Sequence, residues 1–118
     1  MEIVDELLIA PILEGIQKVK GRDIIVLDLE GIPQSVCKKF VICTGDSTTQ
    51  VASIADSVKD KVEKELGETP WHKEGVQNRQ WIILDYVDVV VHIFHNEWRD
   101  FYNLEDLWGD AKWQKIED

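Results

Sequence analysis

The sequence predicts one small α/β domain of the α+β type, in which helices pack on a mixed β-sheet. Its 118 residues match the commonest size of a single domain. Apolar and amphipathic stretches follow each other in the order helix, strand, strand, helix, strand, strand, helix, which gives a sheet covered by helices. The chain has no repeat, linker or low-complexity tract, so we expect residues 1–118 to form a single domain.

The first twenty residues have helical spacing, but they contain a proline. Pro11 lacks an amide hydrogen and disfavours the helical conformation of Ala10. We therefore expect two pieces, with the main helix starting near Pro11 and ending before Gly21. The apolar positions of this region are Val4, Leu7, Leu8, Ile12, Ile16 and Val19.

Two strands with apolar residues on both faces follow. They are Asp23–Leu29 and Phe40–Thr44, and a turn at 30–33 follows the first. Strands of this composition lie inside a sheet that is covered on both sides. In the first strand one face carries Ile24 and Val26, and the other carries Ile25, Leu27 and Leu29.

The second helix has a clear start and a clear end. Ser47 and Gln50 form the S-x-x-Q capping box, which satisfies free backbone donors at a helix N-terminus. Gly67 can adopt the left-handed conformation that ends a helix. The apolar positions between them recur at helical spacing; they are Val51, Ile54, Ala55, Val58, Val62 and Leu66.

A loop after Pro70 leads to two more strands, Gln80–Leu84 and Asp88–Phe94. Because residues 85–88 lie between them, we expect a hairpin turn there. The tail from Asn96 to Trp113 has helical spacing, and we expect its tryptophans Trp98 and Trp108 to pack it on the sheet.

The charge of the chain disfavours nucleic-acid partners. Its 23 acidic residues outnumber its 13 basic ones, so the formal net charge is −10. Binding to nucleic acid depends on basic residues that neutralise phosphates, and the few basic residues here do not cluster. An acidic chain suits a basic protein partner, because complementary charges steer association. High solubility alone would explain the same composition.

No apolar segment approaches the roughly 20 residues that a membrane helix needs. Acidic residues, Glu2 and Asp5, stand where a signal peptide would carry positive charge. We therefore expect a soluble, cytoplasmic protein without membrane contact. Cys37 and Cys43 then lie in a reducing compartment as unpaired thiols.

Metal-binding residues do not form a recognisable set. The cysteines lack the C-x-x-C spacing, and His72 has no cysteine or histidine neighbour that would complete a site. His95 and Glu97 are too few to form a ligand set. His92 lies between apolar strand residues, and we expect it in the core. The sequence therefore predicts no metal and no cofactor.

The turn Gly45–Ser47 is the strongest candidate for catalysis, because amides at a helix N-terminus can bind phosphate. A nucleotidyltransferase-like, nucleotide-binding enzyme that uses this turn is therefore the alternative function. Nucleotidyl transfer also needs paired carboxylates that hold Mg²⁺ after such a turn. The acidic pairs of this chain, Asp28 with Glu30 and Asp85 with Asp88, lie elsewhere. Capping explains the serine, and we predict a protein without catalytic residues.

An aromatic residue beside acids is a candidate for a protein interface. Trp81 begins a strand on which it shares a face with Ile83 and Asp85. An exposed tryptophan near carboxylates has the composition of an interface. The alternative is a buried Trp81 with solvated acids, because tryptophan is commonly buried.

Several separate motifs together resemble the ribosomal silencing factor family, the Iojap-related group of bacteria and organelles. The likeness runs from about the first strand to Trp108, in the right order and spacing. Its motifs are F-V-I-C-T-G-D-S-x-x-Q-V-x-x-I-A-D (Phe40–Asp56), E-G (Glu74 and Gly75), W-I-I-L-D-Y-x-D-V-V-V-H-I-F (Trp81–Phe94) and R-x-F-Y-x-L-E-x-L-W (Arg99–Trp108).

The resemblance implies a fold related to nucleotidyltransferases but without their catalytic acids. It implies binding to the large ribosomal subunit through a basic protein, large-subunit protein fourteen, on the face that meets the small subunit. A bound factor would block subunit joining and repress translation when nutrients run low, while organelle relatives serve large-subunit assembly. We therefore expect little direct contact with nucleic acid. A homodimer of the free protein, formed by the same aromatic residues, stays open.

The resemblance also implies which residues dock. It places Trp81 and Tyr86 as exposed aromatic anchors, with acids around them that meet lysine or arginine of the partner. The family often has glycine where this chain has Val87, so the turn can differ. The partner-binding residues expected from the resemblance are Trp81, Asp85, Tyr86, Asp88 and Glu74.

Overall fold

The structure is a computed structural model that describes residues 2–32, 37–102 and 111–117, with side chains described for 7–32, 37–99 and 111–117. Within these ranges the chain forms helices and strands in alternating groups. In chain order they are α1 (Glu2–Lys18), β1 (Arg22–Asp28), β2 (Lys39–Gly45), α2 (Thr48–Leu66), β3 (His72–Glu74), β4 (Trp81–Asp85), β5 (Val89–His95), α3 (Asn96–Tyr102) and β6 (Lys112–Ile116).

The described strands form one six-stranded sheet in the order β3-β4-β5-β2-β1-β6. The central strands β2 and β5 run parallel, and the other pairs are antiparallel. This arrangement confirms the predicted class, a mixed sheet with helices packed on it. No helix among the described residues is both long and apolar enough to cross a membrane.

The two faces of the sheet carry separate apolar clusters. On the helix face, Ile24 and Val26 of β1 pack together with α1 and α2. On the opposite, second face, Ile25 and Leu27 pack with residues of β2, β5 and α3. The predicted alternation along β1 is confirmed. The same holds for β4, whose Trp81 and Ile83 face away from the helices.

The expectation that Pro11 divides the first helix is wrong. α1 is continuous from Glu2 to Lys18, with a buried Pro11 inside it. Proline removes one backbone hydrogen bond, but packing against α2 compensates for that loss. The two helices approach closely at Gly15, whose carbonyl accepts a hydrogen bond of 2.7 Å from the Ser57 hydroxyl. Besides Pro11, the buried apolar side chains described in α1 are Leu8, Ile12 and Ile16.

The predicted ends of α2 are confirmed. The amide of Gln50 donates to the Ser47 hydroxyl at 3.1 Å, and Gly67 ends the helix in the left-handed conformation. The Gln50 side chain also donates to the carbonyl of Lys20 at 3.1 Å. The side chain of Gln50 therefore connects the start of α2 to the turn before β1.

The tail differs from the predicted long helix. α3 covers Asn96–Tyr102, and Lys112–Ile116 is a strand that pairs with β1. Pairing satisfies the backbone donors and acceptors of β1, which would otherwise be a sheet edge. Trp98 packs on the second face as expected, whereas Trp108 lies outside the described residues. The loop predicted after Pro70 also contains a strand, β3.

We predict that Gly75→Ala destabilises the domain far more than Gly67→Ala. Both glycines have positive φ, 78° and 68°. A Cβ on Gly75 would lie 1.8 Å from the Trp81 carbonyl oxygen, whereas nothing lies within 4 Å of one on Gly67. Gly67→Ala should lower the free energy of unfolding by about 1 kcal/mol, the cost of the left-handed conformation alone. Gly75→Ala should lower it by about 3 kcal/mol or more.

Urea denaturation of the two variants beside the parent chain measures this difference. Equal losses for the two variants would show that β3 and β4 separate without cost to the rest of the fold.

Candidate docking surface

The expected hairpin turn joins β4 to β5. The amide of Tyr86 donates to the carbonyl of Val89 at 2.9 Å, which closes the turn. The Asp85 carboxylate accepts the amide of Val87 at 2.8 Å. Val87 has a φ of 77°, a conformation that glycine adopts without strain and a β-branched residue rarely adopts. Glycine at this position would therefore relieve backbone strain.

Tyr86 is not the exposed anchor that we expected. Only 5% of its surface is accessible, and its ring packs in the cluster of the helix face. Burial, and secondarily the negative charge of Glu68, raise the pKa of Tyr86 to about 12. The expectation is wrong because the helix face extends under the turn and takes up this ring.

Trp81 is half-buried, between the two alternatives that the sequence left open. Its indole N–H donates to Nδ1 of His92 at 3.1 Å, and its ring stacks on Phe94 with centroids 4.9 Å apart. The prediction of a core His92 is confirmed, since it is 5% exposed. Burial lowers the pKa of His92 to about 3, so the imidazole is neutral and can accept the indole hydrogen bond.

The predicted acids lie around the end of β4. Asp85 is half-buried and stands opposite His72 in the β3–β4 pairing. Glu74 is exposed, and its carboxylate lies 3.2 Å from the imidazole of His72. Asp88 is also half-buried, and its carbonyl accepts the amides of Lys38 and Lys39. The structure thus places the three acids around the end of β4, Trp81 at its start, and Tyr86 buried on the helix face.

Sequence reasoning missed two exposed apolar residues at this place. Trp71 is 82% exposed, and its amide donates to the Asp85 carbonyl at 2.7 Å, which fixes it beside the turn. Val87 is 58% exposed at the tip of the turn. A tryptophan next to Pro70 in a polar stretch was the available signal. We define the hairpin surface as Trp71, Glu74, Trp81, Asp85, Val87 and Asp88.

Two amides at the turn that could hold a phosphate are hydrogen-bonded within the turn itself. The amide of Asp46 donates to the Gln50 side chain at 2.6 Å, and the amide of Gln50 donates to Ser47. The Asp46 carboxylate forms an ion pair with Arg22. The capping box therefore accounts for these two amides, and the carboxylate of Asp46 places a negative charge where a nucleotide phosphate would have to bind.

Other candidate chemical groups are also accounted for within the described ranges. There, no group of three or more His, Cys, Asp or Glu side chains is placed to hold a metal ion. Burial raises the pKa of both Cys37 and Cys43 to about 12, so their thiols stay protonated. Protonated thiols are poor nucleophiles. The arrangement of exposed aromatic and acidic side chains is suited to protein contact.

These features define a class: a mixed-sheet α+β domain with an acidic and aromatic surface at one sheet edge. Residues 4–118 match the family described as ribosomal silencing factor during starvation. The chain therefore belongs to the ribosomal silencing factor family, as its sequence motifs predict.

Individual relatives agree in sequence and in fold. The ribosomal silencing factor of Bacillus subtilis is 46% identical over 92 residues, which cover 78% of this chain and 76% of that protein. The chloroplastic Iojap protein of Arabidopsis thaliana is 37% identical over 79% of this chain and 38% of its own length. A crystal structure from Chromobacterium violaceum superposes with a TM-score of 0.82 at 36% identity, covering 100% of this chain and 95% of that one.

We predict that Val87→Gly stabilises the domain, because it removes the strain of a β-branched residue at a φ of 77°. The expected gain in the free energy of unfolding is about 1 kcal/mol. Chemical denaturation measures it, and Val89→Gly, in the buried strand β5, is the control that should instead destabilise. A loss of stability in Val87→Gly would mean that the exposed side chain contributes packing.

We predict a histidine-dependent loss of stability in acid. The unfolded imidazole titrates at pH 6.5, whereas burial holds the folded pKa of His92 near 3. The contribution of neutral His92 is therefore complete above pH 6.5 and decreases as the pH falls toward 3. The slope should reach about 1.4 kcal/mol per pH unit between these values.

Denaturation of the parent chain and of His92→Gln at several pH values isolates this contribution. Glutamine can still accept the indole hydrogen bond but does not titrate. If both proteins lose stability with the same slope, the imidazole is not the group responsible.

Proposed function

We propose that this protein is a translational silencer that docks on the large ribosomal subunit through the hairpin surface. The proposed contact is large-subunit protein fourteen, a basic protein on the face that meets the small subunit. The observation that carries the proposal is Trp71, which is 82% exposed and whose amide is bonded to the carbonyl of Asp85, at the side of the sheet that also carries Glu74 and Asp88. Family membership supports ribosome association; the particular partner and the mode of action are our proposal.

Trp71 is the main anchor in this proposal. With 82% of its surface accessible, it can transfer most of its apolar area from water into a partner pocket. The amide hydrogen bond to Asp85 holds its backbone in place, so little backbone entropy is lost on binding. Trp81 contributes from the second face. Its indole hydrogen bond is already used within the fold, so its contact is through the ring.

Glu74, Asp85 and Asp88 supply the electrostatic part. Carboxylates around an aromatic anchor meet lysine and arginine side chains and set the orientation of docking. The net charge of −10 extends the attraction beyond the contact area and increases the association rate at low salt. Tyr86 belongs to the proposed site as a support, because its buried ring holds the turn against the helix face.

To silence translation by obstruction, the protein needs only to stay bound and to be large enough to separate the subunits. The described domain measures 35 × 33 × 26 Å along its principal axes. A body of this size between the subunits would keep their contact surfaces apart without any chemical step. We therefore propose a non-enzymatic, cytoplasmic mode of action; a role in large-subunit assembly would use the same contact.

We predict that Trp71→Ala raises the Kd for large subunits by roughly thirtyfold, about 2 kcal/mol, as expected for a hot spot. Trp113→Ala is the matched control, because Trp113 is 65% exposed on β6 at the opposite edge of the sheet. Co-sedimentation with large subunits measures binding, and thermal unfolding should be unchanged in both variants. Unaltered binding by Trp71→Ala would exclude this surface.

The electrostatic contribution to docking is tested with two double variants that change the net charge by the same amount. Asp85→Asn with Asp88→Asn should slow association with purified protein fourteen and reduce its salt dependence. Asp56→Asn with Asp60→Asn, on the exposed side of α2, should not. A subunit-joining assay with each variant then tests obstruction. Binding without inhibition of joining would contradict the proposed mode of action.

A further inference from the structure

A concave site lies between α3 and β6, away from the hairpin surface. It has a volume of about 430 Å³, which is within the range of small-molecule sites. Its lining includes Ile25 and Thr44 from the sheet. The cleft is at the β6 side of the sheet, whereas the hairpin surface is at the β3 side.

The cleft lies where two parallel strands end. In the parallel pair β2 and β5, Gly45 stands opposite His95. The carboxyl ends of both strands therefore lie side by side at one end of the sheet. Thr44, just before Gly45, and Asn96, just after His95, both line the cleft. In open α/β sheets, ligands bind in the crevice outside the carboxyl ends of parallel strands, and this pair offers such a crevice.

One wall of the cleft combines a flat apolar ring with a positive charge. Trp113 and Lys115 stand opposite Leu27 and Ile25 of β1, so both belong to the second face. Trp113 is 65% exposed, which leaves its indole available for stacking. Lys115 is exposed too, and it forms no ion pair with the carboxylates of the described residues.

The other wall is rigid and polar. The guanidinium of Arg99, a residue that is only 8% exposed, donates to the Thr44 hydroxyl at 2.8 Å and to the Asp23 carbonyl. These bonds fix α3 against the sheet and place a second positive charge beside the cleft. Asn96 adds an amide that can both donate and accept hydrogen bonds.

One acid lines the cleft as well. Asp23 lies in the β1 bulge with a φ of 52°, and its carboxylate is 3.7 Å from the guanidinium of Arg22. This ion pair offsets the repulsion that a lone carboxylate would exert on an anion. A carboxylate at such a place accepts hydrogen bonds from sugar hydroxyls, as in dinucleotide-binding folds.

We propose that this cleft binds a nucleoside phosphate. The base stacks on Trp113, the phosphate lies near Lys115 and the ribose hydroxyls bind to Asp23. Asn96 contacts the edge of the base. A free nucleotide fits better than an RNA strand, because a chain with a net charge of −10 repels a polyanion. The Gly45–Ser47 turn takes no part, and no bond is made or broken.

Nitrogen-15 NMR of the full chain during titration with GDP tests the proposal. We expect a saturable shift of the Trp113 indole resonance, identified by its loss in Trp113→Phe, with a Kd below about 1 mM. Lys115→Gln should raise that Kd by about tenfold or more. Lys73→Gln, on the exposed strand β3, is the matched control and should leave it unchanged.

Two further ligands test each part of the assignment. Guanosine, which lacks phosphate, should bind at least about tenfold more weakly than GDP. A short single-stranded RNA should bind no better than GDP. Absence of a saturable shift, equal binding of guanosine and GDP, or preference for the RNA would each overturn the proposal.

Discussion

The burial of β5 on both faces is the constraint on which the rest of the structure depends. Six of its seven residues, all but His95, are buried between β4 and β2. Val91 and Ile93 pack against the helices, while Val90 and Phe94 pack on the second face. Burying each such side chain contributes roughly 1.5–3 kcal/mol. A one-residue slip would exchange the two faces, so the register of β4 and β2 is fixed as well.

This constraint decides which aromatic side chains can contact a partner. His92 must be neutral where β5 is buried, and it therefore needs the indole of Trp81 as a donor. Trp81 is thereby held half in the core. Tyr86 falls on the helix face and is buried there, whereas Trp71 precedes the edge strand β3 and stays exposed. The composition of the hairpin surface follows from the alternation of side chains about β5.

Local signals in the sequence were sufficient for much of the fold. The capping box at Ser47 predicted where α2 begins, and the alternation along β1 predicted which residues face the helices. A continuous α1 was not predictable from local preference, because packing against α2 overrides the effect of Pro11. β6 was missed for a similar reason: Lys112–Ile116 is mostly exposed, and only its pairing with β1 makes it a strand.

The candidate site, like the fold, was predictable from the sequence only in part. Trp81 and the acids lie in or beside strands with clear periodicity, so their neighbourhood followed from the sequence. The exposure of Trp71 depends on its hydrogen bond to Asp85, which joins residues on opposite sides of a loop. The burial of Tyr86 depends on how far the apolar cluster of the helix face extends under the β4–β5 turn. The only local signal was the polar stretch around Trp71, and neither the exposure of Trp71 nor the burial of Tyr86 followed from nearby residues alone.

The positions of the two proposed sites argue that they act independently. Five strand spacings of about 4.8 Å separate β3 from β6, so the edges of the sheet lie about 24 Å apart. The cleft and the hairpin surface share no residue. Coupling between the sites would require an element with two arrangements between them. Of the four strands between the edges, β5 is packed on both faces, which opposes any second arrangement, so effects of variants at the two edges should add.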